Sequence, residues 1–111
     1  MPFCQIRTEC ATGIHAMADT KYEWDPNKAA ANDKKHGVSF DEAVLALTDP
    51  AALVQADYSD PNEERWRTTG MGASRVLFVV TTEPDDATIR IISARKANRH
   101  EQNDYYRQAL P

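Results

Sequence analysis

Val76 to Lys96 reads VLFVVTTEPDDATIRIISARK. Five consecutive apolar residues, Val76-Leu77-Phe78-Val79-Val80, have strand length and imply a central strand covered on both sides. Pro84-Asp85-Asp86 has turn chemistry. Ile89 to Ala94 is a second strand. Working towards the N-terminus, Gly70-Met71-Gly72 reads as a hairpin turn. Glu63 to Thr69 reads as a strand whose alternation sets Glu64, Trp66 and Thr68 on one face and Glu63, Arg65 and Arg67 on the other. Ala52 to Ala56 is a further candidate strand. A meander of three or four antiparallel strands follows.

The flanks change period. On the C-terminal side, Asn98 with Glu101 three residues on is a helix cap, and a helix is expected over about 99–108. On the N-terminal side, Tyr22-Glu23-Trp24 is a short aromatic strand. Asp25-Pro26 then starts a helix, because Asp accepts bonds from free N–H groups and Pro lacks only an N–H that has no partner there. The alanine-rich run ends at His36-Gly37, a helix stop. Ser39 and Glu42 have capping-box spacing, in which each side chain satisfies the other's backbone donor. Asp49-Pro50 ends that second helix. The pattern is a single α+β domain: two N-terminal helices, one antiparallel sheet and one C-terminal helix.

With 111 residues, the chain holds one small domain. Residues 1–20 read as a flexible or non-native extension, with a second natural start at Met17, and 21–111 as the domain. Cys4 and Cys10 match neither a zinc knuckle nor a redox pair, so a reduced, cytoplasmic protein is expected. No stretch approaches a membrane span of ~20 apolar residues. The net charge of −4 argues against a protein that coats nucleic acid through global charge.

That charge is unevenly spread. Asp41 to Glu64 carries acids and no Lys or Arg, whereas Arg90 to Arg107 is basic. Two solvated faces would give this pattern, and so would a basic site for an anion within an acidic protein. Arg65, opposite Trp66 in its strand, is the first candidate to grip a phosphate through its planar fork. Arg67 shares its face. Arg95 and Arg99 flank the start of the last helix, whose free N–H groups attract anions. Lys35 and His36 complement the negative end of the first helix, or serve as proton-transfer groups. Glu64 is a general base or the partner that orients Arg65. Tyr105 and Tyr106 pack, or one of them stacks on a base. His15, His36 and His100 are too scattered for a metal site. No nucleotide-binding glycine loop, His/Cys cluster or Ser-His-Asp arrangement occurs, and no cofactor is expected.

Taken together, YEWDPNKAAANDKKHGVSFDEA at 22–43, DP at 49–50, EERW at 63–66, VLFVVTT at 76–82 and RIISARKANRHEQNDYY at 90–106 resemble the BrnT family of toxins. The resemblance implies a RelE-like fold and a metal-independent ribonuclease that inhibits translation. It further implies neutralisation by a BrnA-like ribbon–helix–helix antitoxin, with promoter DNA bound only through that antitoxin. With ribonuclease chemistry as the expectation, Lys35, His36, Glu64, Arg65 and Arg95 are the candidate catalytic residues and Arg67, Arg99 and Tyr105 the candidate RNA contacts, the family pattern adding weight to Arg65 and His36. One departure stands out: Tyr58-Ser59 occupies the place of a His-Ser pair in the family pattern. A non-catalytic module that sequesters a small DNA-binding partner is the alternative.

Overall fold

The computed structural model describes residues 20–109. The readings that concern Cys4, Cys10, His15 and Met17, and nearly all of the 1–20 extension, lie outside these residues. Strand β1 (Lys21–Glu23) is followed by helices α1 (Pro26–His36) and α2 (Phe40–Leu47). Strands β2 (Leu53–Asp57), β3 (Arg65–Met71), β4 (Val76–Asp85) and β5 (Thr88–Lys96) come next, and helix α3 (Arg99–Ala109) closes the described chain.

The helix signals act as their chemistry requires. The Asp25 carboxylate accepts the Asn27 N–H at 2.8 Å, and Gly37 takes the left-handed φ of 70° that ends α1. Ser39 Oγ accepts the Glu42 N–H at 3.1 Å. The Ser39–Glu42 box is only half formed, because the Glu42 carboxylate turns to Arg75 instead. The box at α3 is complete: Asn98 Oδ1 accepts from Glu101 N at 2.8 Å and Glu101 Oε1 accepts from Asn98 N at 2.9 Å.

The sheet order is β1-β5-β4-β3-β2. Strands β2 to β5 form an antiparallel meander, as expected. Strand β1 lies parallel to β5, so the sheet is mixed rather than wholly antiparallel. Periodicity marks a strand but carries no direction; direction follows from the helical crossover between β1 and β2. Two turns also shift. Strand β3 continues through Gly70 and Met71, and the hairpin bends at 72–75, where Gly72 N–H donates to Arg75 O at 2.8 Å. Gly70 serves packing: a Cβ there would overlap the Ala46 carbonyl of α2. The next turn sits at 86–87 rather than 84–86. Pro84 falls within β4 at a register irregularity between Thr82 and Asp85, where a missing N–H is tolerated.

One sheet face is closed. Leu77 and Val79 from β4, with Ile91 and Ala94 from β5, bury against Val38, Phe40, Ala43 and Ala46. Trp24 meets Phe40 edge to face at 5.9 Å. Burying such aliphatic and aromatic side chains contributes roughly 1.5–3 kcal/mol each. Because β1 pairs only Thr88 to Arg90, the outer edge of β5 at Ala94 needs another partner. Asn32 supplies it from α1: its amide donates to Ala94 O at 2.7 Å and accepts from Ala94 N at 3.1 Å.

Candidate functional site

Among the described residues, the opposite sheet face is covered at one end alone. There the buried Tyr105 of α3 packs with Val76, Ala97, Met71 and Ala51. Its hydroxyl donates to the Asp49 carboxylate at 2.6 Å, which also accepts the Met71 N–H at 2.8 Å. That carboxylate pushes the Tyr105 hydroxyl up to about 12. Burial raises the Asp49 pKa, but Tyr105 and the Met71 and Ala51 N–H groups outweigh it and hold Asp49 below its ordinary value. Beyond α3, the pleat brings Arg67, Phe78, Val80, Ser93 and Arg95 onto one open surface, with the buried Thr69 on the same side. The register sets Arg67 beside Val80 and Val80 beside Ser93, and Thr69 beside Phe78 and Phe78 beside Arg95.

The arginines of this surface have unlike surroundings. Arg65 Nε donates to Glu63 Oε1 at 2.8 Å, and Asp60 approaches its guanidinium at 3.6 Å. The bond from Glu63, with the charges of Glu63, Asp60 and Asp57, raises its pKa. A cavity of about 440 Å³ lies beside it, lined by the acidic 57–64 loop and Trp66. Arg95 forms a fork with Glu101, both bonds 2.9 Å, and its guanidinium carbon sits 4.2 Å from the Phe78 ring centroid. Burial pushes Glu101 up, but Arg95 and the Asn98 N–H outweigh it and keep the carboxyl below its ordinary value. Arg67 differs from both. Its Nη2 reaches the Ala56 carbonyl at 3.3 Å, and its buried Nε has no partner among the described residues. Among the described residues it forms no ion pair within 4 Å.

Arg65, Arg67 and Arg95 are thus carried by one sheet face. Lys35 and His36 are not brought to it: both are exposed at the end of α1, in the helical layer. Glu64 lies beside Arg65 in the cavity wall, yet the carboxylate that orients Arg65 is Glu63. Arg99 is exposed in the first turn of α3. The expected anion seat between Arg95, Arg99 and that helix start is filled by Glu101, which takes both the guanidinium and the capping N–H. Tyr105 offers no ring to a ligand, because it is 5% exposed; Tyr106 is the exposed one of the pair. Two functional neighbours escaped the sequence reading, Phe78 and the fork-forming role of Glu101. The six-residue spacing of Arg95 and Glu101 across a strand end was the available signal. Among the described residues, no group of three or more His, Cys, Asp and Glu could hold a metal ion, and no helix is long and apolar enough to cross a membrane.

Residues 24–101 match a protein family described as "Ribonuclease toxin, BrnT, of type II toxin-antitoxin system". Among solved structures, the chain is similar to the Brucella abortus ribonuclease toxin BrnT. The TM-score is 0.59 at 24% identity, covering 72% of this chain and 99% of that one, a likeness of fold. No match is found among curated proteins. The family match spans most of the chain and runs through α1, α2, strands β2 to β5 and the arginine-bearing face, so the chain belongs to the BrnT family of ribonuclease toxins of type II toxin–antitoxin systems.

Proposed function

We propose that this chain is a metal-independent endoribonuclease that holds RNA on the open sheet face, inhibits translation by cleaving it, and acts in the cytoplasm. The observation that carries the reading is Arg67, a half-buried guanidinium on that face with an unpartnered Nε and no carboxylate on it. A phosphate oxygen at the solvent side of the Arg67 guanidinium, whose charge no carboxylate among the described residues pairs within 4 Å, gains a charge-assisted bond. Arg65 stands at one end of the surface and exchanges its loop carboxylates for phosphate. In the reaction the 2′-oxygen forms a bond to phosphorus and the bond from phosphorus to the 5′-oxygen breaks. A base takes the 2′ proton and an acid returns one to the leaving oxygen. The reading gives proton removal to Glu64, supported by its place beside Arg65, rather than to Lys35 or His36.

A BrnA-like ribbon–helix–helix antitoxin neutralises the enzyme by covering the same face, and the complex reaches promoter DNA through the antitoxin. Incubation of the purified chain with end-labelled RNA in EDTA tests this reading. Cleavage by the native chain, at least tenfold weaker in a folded Arg67→Ala variant, is expected. Undiminished cleavage in that variant overturns the site. Absence of cleavage with tight antitoxin binding replaces the enzyme by the sequestering module.

A further inference from the structure

Arg95 differs from a phosphate ligand in three respects. Its charge is matched by Glu101 through two parallel bonds of 2.9 Å. Its Nη1 also donates to the Lys96 carbonyl at 3.2 Å, so three of its five in-plane N–H donors, and all of its Nη1 edge, are occupied. One face of its plane rests on Phe78, 4.2 Å from the ring centroid. An arginine whose carboxylate-facing edge and one face are taken, yet whose side chain is 36% exposed, presents the other face of the plane. Delocalised guanidinium planes stack on nucleobases much as aromatic rings do. Arg67, the unpaired arginine, lies two strands over and two register steps along, roughly 12 Å at the backbone from strand spacing and rise. Two side chains of arginine length close that gap to the reach of one or two nucleotides. Val80 and Ser93 floor the space between them.

We propose that the Phe78–Arg95 stack, locked by Glu101, is a base-stacking platform for single-stranded RNA, while Arg67 holds the neighbouring phosphate. This rests on the reading of the open face as the RNA surface. The platform makes binding depend on the presence of a base, whereas Arg67 makes it depend on charge. Phe78 and Glu101 position Arg95; they do not themselves meet the phosphate.

Binding of fluorescein-labelled, uncleavable 2′-O-methyl RNA to the full chain separates the two roles. A strand of equal length with abasic sugars serves as the second probe, each titrated across salt. Arg95→Lys keeps the charge and removes the plane; Phe78→Leu keeps the Arg95–Glu101 fork and removes the ring beneath it. Both variants are expected to lose about tenfold in affinity for the base-bearing strand and none for the abasic one, the worth of one stacked base. The salt dependence should be unchanged in both. Arg67→Ala should weaken both strands and reduce the salt slope by about one phosphate contact. Equal losses on both strands in Arg95→Lys, or a shallower salt slope in Arg95→Gln, make Arg95 a phosphate ligand and overturn the platform alone. Failure of the native chain to bind either strand overturns the RNA reading, and the platform with it.

Discussion

Two helix starts in this protein carry the same spacing, Ser39-x-x-Glu42 and Asn98-x-x-Glu101, and both glutamates grip an arginine of the sheet, one 33 residues away and the other six. Glu42 does so by leaving its cap. Its carboxylate takes Arg75 and the Ala73 N–H, tying the turn between β3 and β4 to the helical layer. Arg75 also donates to the Gly37 carbonyl at 2.8 Å, which fastens the end of α1 at the same point. Glu101 keeps its cap and holds Arg95 as well. The closed face thus uses its glutamate to join three segments, and the open face uses its own to fix one arginine in place. A capping motif locates a helix start in both; where its acid points is decided by which cation the fold brings near.

Substitutions break this comparison in a graded way. The largest effect is expected from Glu101→Ala, which removes the fork and the cap together: about 2–3 kcal/mol of stability, measured by urea unfolding. Glu42→Ala follows at about 2 kcal/mol, since the Ser39 cap survives. Solvent at Arg75 and Arg95, both 36% exposed, keeps these losses below the 3–5 kcal/mol of a fully buried pair.

Titration sharpens the contrast. Arg75, against burial, holds Glu42 below its ordinary value of 4.5; Glu101 is held down as well, although burial opposes it more. Lowered folded-state values mean that the stability both carboxylates give is complete above 4.5 and is lost as pH falls through the folded values. Glu42→Gln and Glu101→Gln should each flatten the acid limb of a stability-against-pH curve, with no change in slope near neutrality. At the other extreme, Tyr105 is raised from 10.0 to about 12, so its contribution is complete below 10 and is lost as pH rises through 12. Tyr105→Phe should remove about 1–2 kcal/mol at neutral pH, together with that alkaline loss.

Next in size are the caps themselves. Ser39→Ala and Asn98→Ala should cost about 1 kcal/mol each, with the Asn98 variant also loosening Arg95. A thermal melt checks the first, and the base-dependent RNA affinity checks the second. The smallest effect belongs to Glu63→Gln, about 0.5 kcal/mol or less, because its pair with Arg65 is exposed and local. Its signature lies in function: with Arg65 released from Glu63, RNA binding should tighten at low salt.

Local chemistry explains what was legible. Asp25-Pro26, Gly37, Ser39 and Asn98 act within a few residues of themselves, so each marked its helix end correctly. Apolar runs located β4 and β5. Gly70 misled because glycine serves turns and close packing alike, and only the approach of Ala46 distinguishes them. Pro84 misled because a strand irregularity accepts it as readily as a turn does. The arginines of the site were found by residue type, but their states were not. Arg65 pairs with Glu63 two residues away, whereas Arg67 stays unpaired because of what lies across the sheet.

The sequence by itself determined the number, order and ends of the helices and the order of the meander strands, though not where those strands end, because caps and periodicity act over a few residues. It also determined the family, because ordered motifs along 24–101 survive without knowledge of their contacts. The tertiary structure alone decided the parallel placement of β1, the bonding of Asn32 to the β5 edge, and the turning of Glu42 from its cap to Arg75. These depend on strand direction and on pairs distant in the chain, and a carboxylate's choice among cations follows from distance and burial rather than from its neighbours in sequence.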